Sequence, residues 1–363
     1  MAKIIILTIA HGASHLRAGK ALEEALTSIQ PGLDLRRVDA LAECAPWFRA
    51  YYNSYEIPLR FWPSLWRLIE GVQHQSNSTG PAWLYRLGGR GLFDFLARER
   101  PEAVIATEVG VGELAAMAKR RLALNFRLIG VELMDFNHAW IQPEFDLYLT
   151  SHEDLAAELV AAGAPSHNVA VTGQPIAPAF ANLPDQRAAR AHLGLEAERP
   201  VILVLFGGAG FGNPTVLARE LWRLRTPCRI VFVAGRNQAL EARLRGIAPP
   251  QALVFGWVEN LHEWMAAADL VIGKPGGSTL FETAACGSPL LAVHPLPGNE
   301  ERTAAWIEKW QAGVWVRNPS ELANRVDQLL AHPDDLKRLR ERAKALARPR
   351  AAFDGAHLIL DLL

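Results

Sequence analysis

Cysteine is scarce in this sequence and unpatterned. Cys44, Cys228 and Cys286 lie far apart, and no CxxC occurs. An odd, scattered set excludes a disulfide framework and gives no zinc-ligand spacing. It points to a reduced, cytoplasmic protein. Net charge is absent as well, since 38 Lys and Arg balance 38 Asp and Glu. That excludes nucleic-acid binding, or recruitment to a membrane, through bulk charge. Long apolar runs are also missing: nothing approaches the roughly 18 residues that a spanning helix needs. The opening Met1-Ala2-Lys3 and the run Ile4 to Ile9 are too short to span and lack a signal-peptide cleavage region. No Asp-x-Asp pair suggests a bound metal, so neither metal nor cofactor is expected.

What the chain does have is length and a two-part α/β rhythm. At about 150 residues per domain, 363 residues suggest two domains. The composition, 50% hydrophobic and 21% charged, is that of an ordinary globular protein. Ile4 to Ile9 is a continuous, largely β-branched run, the pattern of a parallel strand buried on both faces. A helix over Leu16 to Ile29 and a strand over Leu33 to Val38 complete a βαβ opening. Strands follow at 103–106, 128–131, 146–150 and 169–172, with a helix at 112–122. Ser151 with Asp154 is a capping-box signal for another helix. Gly173 to Pro184, with three prolines, reads as a hinge linker.

A second series places strands at 201–206, 229–235, 252–256, 270–273 and 290–293, and helices at 261–267 and 279–286. Amphipathic helices occupy the chain from Pro319 onward. The predicted domains are 1–178 and 179–342, each α/β and doubly wound. Ligands of such sheets bind beyond the carboxyl ends of the strands.

Residues 44–93 interrupt the first domain. They hold four of the eleven tryptophans, Trp47, Trp62, Trp66 and Trp83, among Arg60, Arg67, Arg86 and Arg90. An insertion this long inside an α/β domain is more often functional than idle. Aromatic residues with arginines suit a monotopic membrane contact or a greasy acceptor cleft. Inward packing into a core is the other reading.

The most informative stretch is Gly273-Lys274-Pro275-Gly276-Gly277-Ser278-Thr279-Leu280-Phe281-Glu282. It follows a strand and opens a helix. Glycines let backbone N–H groups approach an anion closely, and the helix N-terminus adds unpaired donors and a positive dipole end. Ser278 and Thr279 can add hydroxyl donors. Glu282 lies one turn in, where its carboxylate could accept from two adjacent ribose hydroxyls. The Walker spacing GxxxxGK[ST] is not met, which disfavours an ATPase P-loop.

Lys274 to Thr279, Glu282, Gly287-Ser288-Pro289 and Pro295-Leu296-Pro297-Gly298-Asn299-Glu300-Glu301 together resemble a donor-nucleotide signature. It is the signature of the monogalactosyldiacylglycerol synthase and diacylglycerol glucosyltransferase family, and more distantly of MurG. Thr8 to His15 resembles the family's glycine-rich loop ending in Gly-His. Met134 to Trp140 resembles its Thr-Asp-Phe…His…Trp segment, and Val171 to Ile176 its Thr-Gly-Ile-Pro-Ile hinge. The resemblance runs in order from about residue 3 to 316.

It implies a GT-B fold, an α/β architecture of two Rossmann-like domains facing a central cleft, with the final helix, 343–363, crossing back to the first domain. Gly276, Gly277, Ser278 and Thr279 would meet the UDP diphosphate and Glu282 the ribose. Trp257 and Val258 would lie along the uracil. Gly207, Gly208 and Gly210, with Gly12, would approach the donor from facing loops. Asn299 and Glu300 would join the donor-binding set, and Asn299 and Thr303 occupy the positions whose side chains recognise donor-sugar hydroxyls in relatives. His15, with His11 as the alternative, would be the general base, with Asp135 assisting. Trp62, Trp66, Trp83, His138 and Trp140 would contact the acceptor. The sequence departs from the pattern at Asn299 and Thr303, where the family commonly has Gln and Asn, at Met134 in place of Thr, and at Ser14 in place of Gly.

The expected activity is inverting, metal-independent transfer of a hexose from a UDP-sugar to a lipid or other hydrophobic acceptor. It would take place at the cytoplasmic face of a membrane, without nucleic acid. A histidine titrating near neutrality suits the base, and a helix N-terminus suits the departing diphosphate. The rivals are a UDP-sugar 2-epimerase-like isomerase on the same fold and a non-catalytic nucleotide-sugar-binding protein.

Overall fold

The computed structural model describes residues 2–363 except 11–12, 75, 77, 135, 207–213 and 250, with backbone alone at 13, 56, 60, 63, 73 and 74. The chain divides into two compact units, the first comprising 1–178, 297–299 and 350–363, the second 179–296 and 300–349.

The first unit begins with β1 (Lys3–Thr8), α1 (Ala13–Ile29) and β2 (Asp34–Asp39). The aromatic insertion folds as α2 (Pro46–Asn53), α3 (Glu56–Phe61), α4 (Pro63–His74) and α5 (Ala82–Gly88), leading into α6 (Arg90–Glu99). Then come β3 (Ala103–Ala106), α7 (Val109–Arg121), β4 (Arg127–Glu132), β5 (Leu147–Thr150), α8 (Glu153–Ala161) and β6 (Val169–Val171). The strands form one parallel sheet in the order β2-β1-β3-β4-β5-β6.

Successive side chains of a strand face opposite sides of its sheet, so an unbroken apolar run fits only a sheet covered on both faces. β1 does this. Ile5 and Leu7 pack with Leu41, Phe48 and Leu92, while Ile4 and Ile6 pack with Leu22 and Leu26 of α1. The start of α8 differs from the expected capping box. Its N-cap is His152, whose Nδ1 accepts from Leu155 N at 3.2 Å. An imidazole lone pair meets the orphan N–H there as well as the hydroxyl of Ser151 would.

The second unit contains α9 (Gln186–His192), β7 (Val201–Leu205), α10 (Pro214–Leu221), β8 (Arg229–Val233), α11 (Gln238–Ile247), β9 (Leu253–Phe255) and α12 (Leu261–Ala267). It continues through β10 (Leu270–Gly273), α13 (Gly277–Ala285), β11 (Leu290–Ala292), α14 (Asn299–Lys309), β12 (Gly313–Trp315), α15 (Leu322–Ala331) and α16 (Pro333–Leu346). Its sheet is also parallel, in the order β12-β11-β10-β7-β8-β9. The half-buried carboxylate of Asp269 fastens it. Asp269 accepts from Val201 N at 2.7 Å, Gln186 Nε2 at 3.2 Å, Arg340 Nη1 at 3.1 Å and the buried Arg190.

The last helix, α17 (Ala351–Asp361), belongs to the first unit and lies on α1. Ala352, Ala356 and Ile359 join the core beneath Ile4 and Ile6. Each sheet therefore has one point where the strand order reverses: between β1 and β3 in the first, and between β7 and β10 in the second. Crevices at such points are where open α/β sheets bind ligands.

Candidate functional site

His15 stands in the first turn of α1, beyond the carboxyl end of β1, and is half-buried. Thr107 follows β3, the neighbour across the reversal. The ring Nδ1 of His15 lies 2.5 Å from the carbonyl oxygen of Thr107. A carbonyl can only accept, so Nδ1 carries the proton and the neutral ring keeps its lone pair on Nε2. That is the tautomer a general base needs. His11, Gly12 and Asp135 lie outside the described residues.

Two carboxylates that the sequence analysis did not single out sit beside this turn. Glu108 caps α7 through Val111 N at 2.9 Å and accepts from Tyr52 of α2 at 2.6 Å. Glu113 is buried on the next turn of α7 and accepts from Ser78 Oγ, from Thr79 N at 3.0 Å and from Thr79 Oγ1 at 2.9 Å. The Thr79 and Tyr85 hydroxyls are 2.6 Å apart. The polar middle of the insertion is thus latched to α7. Gly110 makes room, since a Cβ there would stand 2.2 Å from the Tyr52 hydroxyl. Burial pushes the Glu113 carboxyl above its usual range, against the bonds from Ser78 and Thr79 that favour its anion. Burial likewise pushes up the hydroxyls of Tyr52 and Tyr85. The legible signal was Glu108-Val-Gly-Val-Gly-Glu113 at the end of a strand.

The insertion turns part of its aromatic surface inward and part outward. Phe48 and Tyr85 are buried. Trp62 is 59% exposed and Trp83 61%, while Trp66 is half-buried against Tyr55. Leu65, Leu68 and Val72, spaced to share one face of α4, are all exposed, Leu68 at 67%. A helix normally hides such a stripe.

His138 is half-buried, edge-on to Phe136 with centroids 4.8 Å apart. Trp140 corrects an expectation. It is 3% exposed and sits in the core against Phe145, where Gly112 and Gly130 leave space for its ring. Its ring has no face to offer an acceptor.

In the second unit the Lys274–Thr279 loop follows β10 at the sheet's reversal. Gly276 is the N-cap of α13 with φ −72 and ψ 147, ordinary values for any residue. A Cβ built there would meet no atom of the described residues within 4 Å. Neither its backbone conformation nor its packing among the described residues asks for glycine, and a bare backbone there leaves room for close approach by a ligand. Gly277 and Ser278 are buried in the first turn and Thr279 is half-buried. Glu282 is buried one turn further on. Lys274 Nζ donates to Glu300 Oε1 at 2.8 Å, and Leu296 N donates to Glu300 Oε2 at 2.7 Å. Glu300 therefore ties the 294–299 loop to the glycine turn, and Asn299 is exposed beside it.

Trp257 lies past the end of β9, 56% exposed, with the Arg236 guanidinium 4.4 Å from its ring centre, and Val258 is half-buried. Gly207, Gly208 and Gly210 fall outside the described residues. Among the described residues no group of three or more His, Cys, Asp or Glu side chains could hold a metal ion. A cavity of about 300 Å³ opens at the opposite, amino-terminal edge of the first sheet, beside Lys119, Arg127 and Asp146. Its charges are paired with one another.

A family model described as monogalactosyldiacylglycerol (MGDG) synthase matches residues 15–176, and one described as glycosyl transferases group 1 matches 202–332. A processive diacylglycerol beta-glucosyltransferase of Bacillus thuringiensis (strain Al Hakam) is 30% identical over 374 residues, covering 99% of this chain and 93% of that protein. Among solved structures, MurG of Acinetobacter baumannii superposes with a TM-score of 0.64 at 17% identity, covering 99% of both chains. A putative UDP-N-acetylglucosamine 2-epimerase from Listeria monocytogenes gives 0.61 at 16% identity, covering 97% of this chain and 94% of that one. At such identities the structural likeness establishes the fold, which is GT-B with two Rossmann-like domains.

Proposed function

The chain belongs to the glycolipid glycosyltransferase family of the processive diacylglycerol β-glucosyltransferases, and on that premise we propose that it transfers a hexose from a UDP-sugar to a diacylglycerol-type lipid. The observation that supports the donor half is Gly276, a glycine that neither its backbone nor its packing among the described residues requires, at the N-terminus of α13. The diphosphate takes the N–H groups of the first turn, and Glu282 the ribose hydroxyls. Trp257 and Val258 line the uracil, and Asn299 and Glu300 face the sugar.

In the reaction Nε2 of His15 removes the acceptor hydroxyl proton. The acceptor oxygen forms a bond to the anomeric carbon from the side opposite UDP, and the carbon–oxygen bond to the diphosphate breaks with its electrons leaving on UDP. The configuration inverts. The α13 N–H groups and dipole stabilise the departing charge without a metal.

The acceptor half rests on the exposed stripe of α4 with Phe61, Trp62 and Trp83. Exposed apolar surface of this kind marks an interaction site, and the exposed Arg67 on the same helix suits anionic headgroups. No described helix is long and apolar enough to cross a membrane, so the contact proposed is monotopic, at the cytoplasmic face. His138 stands with the acceptor set.

The purified protein, given UDP-glucose and diacylglycerol in mixed vesicles, is expected to release UDP and form a glycolipid. Conversion of a UDP-N-acetylhexosamine with no lipid present would favour the isomerase. UDP binding with no turnover across UDP-glucose, UDP-galactose and UDP-N-acetylglucosamine would favour the non-catalytic reading.

A further inference from the structure

His294 had no part in the expectations above, yet it carries several independent anomalies. Among the described residues four non-glycines have positive φ: Arg100, Ala123, His294 and Gln311. Arg100, Ala123 and Gln311 directly follow or close the helices α6, α7 and α14, where a left-handed residue is the usual terminator. His294 terminates no helix. It follows β11 by two residues, with φ +47, and it precedes Pro295, which favours extended conformations in the residue before it. Strain of this kind persists only where its surroundings impose it, and it concentrates at ligand sites.

The position is specific. Val293 N donates to Gly273 O at 2.9 Å, so His294 leaves the sheet beside the Lys274–Gly276 turn. The imidazole Nε2 is shielded from solvent and has no hydrogen-bond partner among the described residues. A buried polar atom with no partner is costly and calls for a reason. Burial holds the ring below the usual histidine range, so at neutral pH it is uncharged, with one N–H and one lone pair.

The strand order says which part of a donor it would meet. Reading β9-β8-β7-β10-β11 along the carboxyl edge, the Trp257 turn ends β9 and the N-terminus of α13 follows β10. With uracil at the first and diphosphate at the second, the next group in line reaches β11, and that group is the hexose.

We propose that His294 reads the donor sugar, its Nε2 exchanging a hydrogen bond with a hydroxyl of the UDP-bound hexose. The inference rests on the donor-site reading of the second unit. It makes His294 a specificity-determining residue alongside Asn299.

The test uses His294→Gly, which deletes the imidazole and suits positive φ, and His294→Asn, which tolerates the same backbone with a shorter polar group. Affinities of UDP and UDP-glucose are measured by calorimetry on the full chain, together with KM and kcat for UDP-glucose and UDP-galactose. The glycine variant is expected to bind UDP as the parent does and to bind UDP-glucose about 3- to 10-fold more weakly, the loss of one neutral hydrogen bond. The parent's preference between the two hexoses should narrow correspondingly, with asparagine intermediate. Equal weakening of UDP and UDP-glucose would overturn the proposal, because the contact would then be to the nucleotide. Unchanged UDP-glucose affinity and preference would overturn it too. Failure of the parent chain to bind UDP would sink the donor-site reading itself, a result the variants cannot mimic.

Discussion

Gly276 separates stability from function within one residue. Because its φ and surroundings suit alanine, Gly276→Ala is expected to leave the fold as stable or raise stability by about 0.4–1 kcal/mol, through a less flexible unfolded chain. The added methyl would occupy the space proposed for the diphosphate, so UDP binding should weaken at least tenfold. Thermal unfolding and UDP titration of one preparation check both halves. Asp269 is the opposite case. It neutralises the buried Arg190 and bonds Val201 N at the start of β7. Breaking such a pair strands the remaining charge. Asp269→Ala should cost about 3–5 kcal/mol in urea denaturation, although no part of the proposed chemistry touches it.

Two helices bear on the proposed acceptor half, one by what it exposes and one by what it grips. Leu65, Leu68 and Val72 give α4 an outward apolar stripe, so Leu68→Asp with Val72→Asp should abolish sedimentation with lipid vesicles while unfolding and UDP affinity stay as in the parent. α7 grips the insertion through Glu108 and Glu113. Burial raises the folded pKa of Glu113 above its ordinary 4.5. The folded state therefore holds that proton more tightly than the unfolded chain does. The resulting contribution to stability is complete below pH 4.5 and is lost as pH rises through the folded value. Glu113→Gln should flatten that decline in a pH series of denaturation curves. A parent chain with no decline over this window would contradict the assignment.

The whole chain is stitched by its last helix, which follows the second unit in sequence and completes the core of the first. A chain ending at Pro349 uncovers Ile4, Ile6 and Leu22, and calorimetry should show the first unit's transition lost while UDP still stabilises the second. At one hundred times its Kd, UDP adds about 2.7 kcal/mol. Much of this arrangement was legible beforehand. The run Ile4 to Ile9 announced a doubly covered strand, because period and burial are local properties of the chain. Gly273 to Glu282 announced a strand, a glycine turn and a helix start, because the three are contiguous in the chain.

Trp140 was not legible. A lone tryptophan reads the same at a surface or in a core, and only Gly112 and Gly130, brought under its ring by the fold, decide between them. The Glu113 latch depends on Ser78 and Thr79, more than thirty residues away. The unpaired nitrogen and left-handed backbone of His294 have no trace in composition or period. The sequence by itself determined the two parallel sheets and the glycine turn between β10 and α13, since these follow from patterns spanning a few residues. Only the tertiary structure decided which aromatics face out and which carboxylates hold the insertion, since burial and partnership depend on residues that meet through folding.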